Sequence, residues 1–240
     1  MSVVYGNRTV YGQKIGILML DTHFPRVSGD IGNATSFRFP VAYRIVKEAN
    51  SSNVVLNPDP KIIEPFIKAA KELEAEGCRC VVTSCGFMAI FHREIAAALS
   101  IPVISSSLLQ ARLVSSLVGG RKIGILTAKA SSLTDLHYAG VGIEDVDKVV
   151  YGIEHTEFGK TFFNGADHID IAQAEDDMVA TAKTMLMEHP DVAAIVLECT
   201  NMPPFSHAIR EATGLPVFDV IGLINYVHDA LTAPAFQGYL

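Results

Sequence analysis

Short apolar runs of strand length alternate with amphipathic stretches of helical period along the whole chain. Residues 14–20 are apolar and partly β-branched, the pattern of a strand buried on both faces of a parallel sheet. A polar loop follows from Asp21 to Asn33, holding Pro25, Gly29 and Gly32. Long loops at the carboxyl end of a strand commonly carry function. The pattern predicts a short helix over 41–48 and a second strand over 53–56. Asn57-Pro58-Asp59-Pro60 predicts a helix start, and Ile62, Phe66, Ala69, Ala70 and Leu73 then share one face before Gly77 ends the helix. Strands are expected over 80–84 and 103–105, and helices over 90–99 and 108–118, with Gly119-Gly120 as a stop. The series then restarts. Strands are expected over 122–127, 148–151, 193–197 and 217–219, and helices over 131–138, 169–188, 205–212 and 221–231. Strictly alternating elements predict an α/β fold with parallel sheets and right-handed crossovers. Residues 1–13 read as a short extension able to pack on a neighbour.

The restart is a repeat. Lys14-Ile15-Gly16-Ile17-Leu18 recurs unchanged as Lys122-Ile123-Gly124-Ile125-Leu126, an offset of 122 − 14 = 108. Cys85 and Cys199 are separated by 199 − 85 = 114, and the same offset joins Phe91 to Phe205, Ile95 to Ile209 and Pro102 to Pro216. The chain therefore reads as a duplicated unit: two similar lobes, each a mainly four-stranded parallel sheet flanked by helices. Residues 1–108 plus 215–240 form the first lobe and 109–214 the second. Each copy carries one cysteine at the carboxyl end of a strand, where open parallel sheets place ligands.

Composition narrows the possibilities. The 240 residues are 49% hydrophobic and 19% charged, a globular balance with enough length for a sizeable core. The formal charge is −7 and no long basic run occurs, which argues against nucleic acid or an anionic membrane surface as partner. The apolar runs are too short to span a membrane, and residues 1–10 lack the apolar core of a secretory signal. Of the four cysteines, Cys78 and Cys80 stand too close together, with no second pair, to form a zinc site, and read as buried small hydrophobes. A cytoplasmic, reducing location is expected.

Cys85 and Cys199 carry the candidate chemistry. A thiol at a helix start sees unpaired N–H groups and the positive end of the helix dipole, both of which favour thiolate. Two such groups on opposite sides of a small substrate can split proton transfer, one removing a proton from carbon while the other returns one to the opposite face. Thr83, Ser84, Thr200 and Asn201, with the backbone N–H groups of the two turns, can hold a carboxylate and a developing enediolate. The scheme requires no metal and no organic cofactor.

The duplicated halves, with Thr83-Ser84-Cys85-Gly86 in one and Glu198-Cys199-Thr200-Asn201 in the other, resemble the aspartate/glutamate racemase superfamily over essentially the whole chain. That resemblance implies two α/β lobes with one cysteine each at the cleft, and a cofactor-independent isomerase that racemises or epimerises a small carboxylate of the aspartate or glutamate type. It also implies Cys85 and Cys199 as the acid/base pair, Ser84, Thr200 and Asn201 as carboxylate ligands, Asp21 and its loop as part of the substrate site, and a homodimer. Hydantoin racemase and maleate cis–trans isomerase are the alternatives within the superfamily, and a small-acid binding protein is the alternative outside enzymes. Gly86-Phe87 and Asn201-Met202-Pro203-Pro204 depart from the amino-acid racemase pattern beside the two cysteines.

Other positions admit two readings. His23 touches substrate or is a plain loop histidine. Asp21 assists catalysis or caps its loop through backbone N–H groups. Arg26 binds a distal carboxylate or is solvated. Thr127 bonds substrate or simply ends its strand. Gly86 and Phe87 form the turn after the first cysteine and are placed with the substrate-binding residues. Strand alternation turns Glu198 away from Cys199, so it is expected to support the loop and not to act as a base. Ser105 and Asp219 end the last strand of each half and are expected to buttress the cysteine loops. His92 and His207 fall about two helical turns past their cysteines and read as surface or packing residues.

Overall fold

The structure is a computed structural model that describes residues 3, 5–236 and 238. Residues 1, 2 and 4 of the expected N-terminal extension lie outside the described residues. The chain forms two four-stranded parallel sheets of identical strand order, β2-β1-β3-β4 and β6-β5-β7-β8. The first contains β1 (Ile15–Leu20), β2 (Val41–Val46), β3 (Cys80–Thr83) and β4 (Val103–Ile104); the second contains β5 (Ile123–Thr127), β6 (Lys148–Gly152), β7 (Ala194–Leu197) and β8 (Val217–Phe218). The central strands β1, β3, β5 and β7 are buried along their full length. Their nearly unbroken apolar sequences follow from having helices on both faces.

The first sheet shows how the layers close. Helix α1 (Ile63–Glu76) buries Phe66, Ala69, Ala70 and Leu73 against one face. On the other face, Val220 and Ile224 of the last helix pack with Ile15, Ile17, Val82 and Ile104. The glycine of the repeated Lys-Ile-Gly-Ile-Leu segment makes the helix contact possible: a Cβ on Gly16 would sit 2.9 Å from Leu73 Cδ1 and 3.0 Å from Cys78 Sγ. Gly124 has the same role beneath Met185 of the second lobe's long helix, residues Ile171–Glu188.

Two segments differ from the pattern's first reading. Residues 41–48 were expected to be helical, yet Val41–Val46 is β2, an edge strand in register with β1 from Ile15↔Val41 to Leu20↔Val46. Parallel pairing with β1 overrides the local pattern, and Val41, Tyr43 and Ile45 suit a strand. The strand expected over 53–56 is instead a wide helical turn, Ser52–Leu56, closed by a bond from Asn57 N to Ser52 O. Asn50 and Asn53 drive that turn: Asn50 Oδ1 accepts from Ser52 N, and Asn53 Nδ2 donates to Glu48 O.

The second half also contains a helix that the pattern left as loop. Helix α5 (Glu157–Asn164) begins at Thr156, whose hydroxyl accepts from Gly159 N. It lies in a β5-to-β7 connection longer than its counterpart, since the repeat offset grows from 108 to 114 across it. The division expected at 215 separates β8 from its sheet. Val217–Phe218 pairs with β7, and only α8 (Val220–Leu231) returns to the first sheet.

Candidate active site

Both cysteines sit just past the ends of central strands, on turns whose backbone is tied to the neighbouring strand in the same way. Ser84 N donates to Leu18 O, and Glu198 N donates to Leu126 O, each at 2.8 Å. Beyond each cysteine the chain enters a 3-10 turn, Gly86–Phe91 in the first half and Pro203–Phe205 in the second. The two turns meet at the junction of the lobes, where Thr200 Oγ1 donates to Ser84 O at 2.5 Å. Gly86 makes the reciprocal contact, because a Cβ there would lie 2.4 Å from Glu198 O and 2.1 Å from Glu198 Oε1.

The long loop after β1 closes the third side. Asp30 is buried and accepts from Arg26 Nη1, from Gly32 N and, through Oδ2, from Asn201 Nδ2 at 2.7 Å. Arg26 also donates to Thr22 Oγ1 and stacks on the Phe24 ring, 4.4 Å from its centroid. Asn201 Oδ1 in turn accepts from the Cys199 thiol at 3.5 Å. One polar chain therefore runs from the first lobe's loop to the second lobe's cysteine.

These elements form a cleft lined by both cysteines, Ser84, Gly86, Phe87, Thr200, Asn201, Arg26 and Glu198. Leu20, Phe24, Val55, Phe162 and Phe163 supply much of its apolar wall. Seven residues singled out in the sequence as catalytic or substrate-binding thus share one cavity: Cys85, Cys199, Ser84, Gly86, Phe87, Thr200 and Asn201. Asp21 and His23 do not line it. His23 is largely exposed and pairs with Asp21, Nε2 to Oδ1 at 3.1 Å. Thr127 is fully buried behind the wall and donates to Glu198 Oε2 at 2.7 Å. Ser84 lines the cavity, but its hydroxyl accepts from Leu20 N and so anchors the end of β1.

The aromatic wall and Glu198 were not recognised from sequence. Phe162 and Phe163 belong to the helix missed there, and Thr156 before Glu157 was its available cap signal. Glu198 was expected to face away from the cysteines in a supporting role. Instead the absent side chain at Gly86 leaves room for its carboxyl, and Glu198 lines the same cavity as both cysteines.

The electrostatics also differ from the helix-start expectation. Burial pushes the Cys85 thiol up to about 12, and the Glu198 carboxylate adds to the shift. Cys199 is raised well above the ordinary thiol range by the same two causes in the same order. The N–H groups of Phe87 and Asn201 pull the respective thiols down, but by less. Short 3-10 turns supply too little aligned dipole to overcome burial beside a carboxylate. Burial likewise raises Glu198 to about 7, opposed by the bond from Thr127. Among the described residues, no cluster of three His, Cys, Asp or Glu side chains is arranged to hold a metal ion, and no helix is long and apolar enough to cross a membrane.

A two-lobed parallel α/β fold with one cysteine per lobe at a shared cleft defines the class. The Asp/Glu/Hydantoin racemase family profile matches residues 44–224, and the chain belongs to that family. An aspartate racemase homologue from Pyrococcus horikoshii OT3 has the same fold, with a TM-score of 0.57 at 18% identity, covering 92% of this chain and all of that one. The more similar relatives are of another kind. The chain is 35% identical to a dimethylsulfoniopropionate lyase of Durusdinium sp. clade D, over 86% of this chain and 71% of that protein. It is 32% identical to dimethylsulfoniopropionate lyase 7 of Emiliania huxleyi, over 88% of this chain and 65% of that protein.

These relatives correct the activity expected from sequence. That expectation was an isomerase acting as an amino-acid racemase or epimerase, with hydantoin racemase or maleate isomerase as alternatives. Relatives aligned over most of the chain are lyases. The physical reason is that the strand–cysteine motifs specify the fold and the placement of the two thiols, whereas the reaction depends on the pocket around them, which those motifs do not record.

Proposed function

We propose that this protein is a lyase that cleaves a small β-sulfonium carboxylate of the dimethylsulfoniopropionate type by β-elimination. The observation that carries the reading is the 35% identity to a dimethylsulfoniopropionate lyase over 86% of the chain. The cavity offers matching chemistry. Phe24, Phe87, Phe162 and Phe163 present aromatic surface to a sulfonium cation, which ring faces attract. Arg26 is the cationic side chain of the lining among the described residues, and only part of its donor set is engaged by Asp30 and Thr22. It is available to the substrate carboxylate, together with backbone N–H groups of the two cysteine turns.

The step balances without a co-reactant. A thiolate of the cysteine pair takes the proton from the carbon beside the carboxylate. The C–H electron pair becomes the carbon–carbon double bond, and the C–S bond breaks with its electrons leaving on sulfur. Neutral dimethyl sulfide, acrylate and one proton result. A bound sulfonium beside the thiols offsets the burial that disfavours thiolate, since a nearby cation stabilises the charged form. Cys85 is half-buried at the cavity, whereas Cys199 is buried and its proton is held by Asn201. Cys85 is therefore the base in this reading and Cys199 its partner. The reading requires a reducing compartment such as the cytoplasm, in keeping with four free cysteines.

The test is incubation of the purified protein with dimethylsulfoniopropionate, following dimethyl sulfide by headspace chromatography and acrylate by NMR. Equimolar release, lost by at least about a thousandfold in Cys85→Ser, is the expected result. Absence of both products from the wild-type protein would overturn the reading.

A further inference from the structure

The repeat extends past the cysteines to two side-chain pairs that the elimination does not use. The offset of 114 that joins Cys85 to Cys199 also joins His92 to Ser206 (206 − 92 = 114) and Ser105 to Asp219 (219 − 105 = 114). His92 opens α2 (His92–Ala97) and Ser206 opens α7 (Ser206–Thr213), the helices that follow the two cysteine turns. Ser105 comes directly after β4, and Asp219 directly after β8. In each half the two residues are bonded to each other. Ser105 Oγ meets His92 Nδ1 at 3.0 Å, and Ser206 Oγ donates to Asp219 Oδ2 at 2.5 Å.

The two halves share the bond and not the residues. In the first half the helix carries the longer side chain and the strand end carries the hydroxyl; in the second half the ends are exchanged. Nδ1 and Oδ2 are both δ atoms and each serine supplies a γ atom, so the two arrangements have the same reach. His92 is therefore more than the surface or packing residue that its helical spacing suggests.

The position of the bond connects it to the thiols. Each cysteine turn leaves its central strand at the cysteine and re-enters regular structure at His92 or Ser206. The pair ties that far end to the strand beside the one carrying the cysteine, β4 beside β3 and β8 beside β7. The Cys85 turn is tied at its near end as well. Buried Thr83 donates through Oγ1 to Ser105 O at 2.7 Å and stands 3.1 Å from Cys85 O. The anchors are themselves held. Ser105 is fully buried, and Asp219 Oδ1 accepts from Gly222 N at the start of α8 while its carbonyl accepts from Gln110 Nε2.

We propose that His92–Ser105 and Ser206–Asp219 are positioning clamps, one for each thiol: the first places the Cys85 turn and the second places the Cys199 turn. Among the described residues that line the cleft, none belongs to either pair. All four are therefore positioning residues and act on the substrate through the thiol that they place. Losing one clamp frees one turn and leaves the other thiol where it was.

The inference deepens the lyase reading, and rests on it for the second of two measurements. The first needs no substrate. Iodoacetamide alkylation of each cysteine is followed by peptide mass spectrometry in wild type and four variants. His92→Leu removes the polar δ atom, Ser105→Ala breaks the same bond from its other end by loss of a single oxygen, and His92→Asn returns a polar δ atom. Ser206→Ala breaks the second bond. A turn that has lost a part-buried bond opens more often, so His92→Leu and Ser105→Ala are each expected to speed alkylation of Cys85 at least about fivefold. Cys199 and Cys78 should stay within about twofold of wild type, and Ser206→Ala should speed Cys199 and leave Cys85 unchanged. His92→Asn is expected to keep both rates near those of wild type. Equal changes at both cysteines, no change at either, or His92→Asn behaving as His92→Leu would each overturn the proposal.

The second measurement is dimethyl sulfide release. His92→Leu and Ser206→Ala are each expected to lower kcat about tenfold to a hundredfold with KM within about threefold, since a small displacement of a reacting group acts on the chemical step. His92→Asn should recover most of the kcat lost in His92→Leu. A kcat within about twofold of wild type in both His92→Leu and Ser206→Ala would overturn the proposal. If the wild type releases no sulfide, the lyase reading falls and the alkylation pattern alone decides whether the clamps place the thiols.

Discussion

Asp30 Oδ2 accepts a hydrogen bond from Asn201 Nδ2 at 2.7 Å, although the two residues are 201 − 30 = 171 positions apart. Through this bond the loop of the first lobe holds the side chain that receives the Cys199 thiol proton. The same Asp30 carboxylate pairs with Arg26 at 2.9 Å, and both side chains are mostly buried. One acid thus sets the position of the cavity's cation and of its second thiol.

Removing that acid is expected to do more harm than removing Asn201. Asp30→Ala leaves Arg26 buried without its counter-charge, a change that typically costs about 3–5 kcal/mol. Asn201→Ala loses one charge-assisted bond, worth about 1.5–3 kcal/mol. Urea unfolding of the two variants checks the order, and Asn201→Ala as the less stable of the two would contradict it.

Gly86 should tolerate no side chain. In Gly86→Ala the new methyl would meet Glu198 Oε1 at 2.1 Å and Glu198 O at 2.4 Å, so the lobe junction has to shift. Overpacking of this kind costs about 1–3 kcal/mol. A loss of stability in that range, with a larger proportional loss of activity, is expected from thermal unfolding and product assays run side by side.

The aromatic wall is expected to read the substrate's charge. Phe162→Leu keeps an apolar side chain but removes a ring face that is worth about 0.5–2 kcal/mol to a cation. KM for dimethylsulfoniopropionate should rise about 2–30-fold. Inhibition by the uncharged sulfide analogue, 3-(methylthio)propionate, should change little. Equal weakening of both ligands would mean that Phe162 contributes shape alone.

Glu198 makes stability depend on pH with a definite sign. Its folded value of about 7 lies above the ordinary 4.5, so the folded state binds the extra proton between those limits. The stabilisation is complete below about pH 4.5 and is lost as pH rises through 7. The difference is at most about 3 kcal/mol. Glu198→Gln cannot ionise, so its stability relative to wild type should improve by up to that amount between pH 4.5 and 8. Denaturant midpoints at the two pH values measure this, and a wild-type advantage that grows with pH would refute the assignment.

Much of this protein is determined by its sequence. The repeated Lys-Ile-Gly-Ile-Leu segment, the two strand–cysteine runs and the alternation of periods specify two parallel sheets and put one thiol at the end of a central strand in each. These features are local, since they depend on apolar periodicity and on where glycine lets a helix approach a strand. Residues 41–46 became a strand only by pairing with β1, a partner that the local pattern does not contain. The tertiary structure likewise decided that Asp21 and His23 pair with each other outside the cavity, while Arg26 turns into it and is held there by Asp30. It also raised the thiols where a helix start alone would lower them, because burial and a nearby carboxylate are properties of the assembled cleft. Glu198 shows the division most plainly. Strand alternation alone would turn its side chain away from Cys199, but the vacant side of Gly86 is on the other lobe, and only folding the two halves together brings that vacancy to the carboxyl.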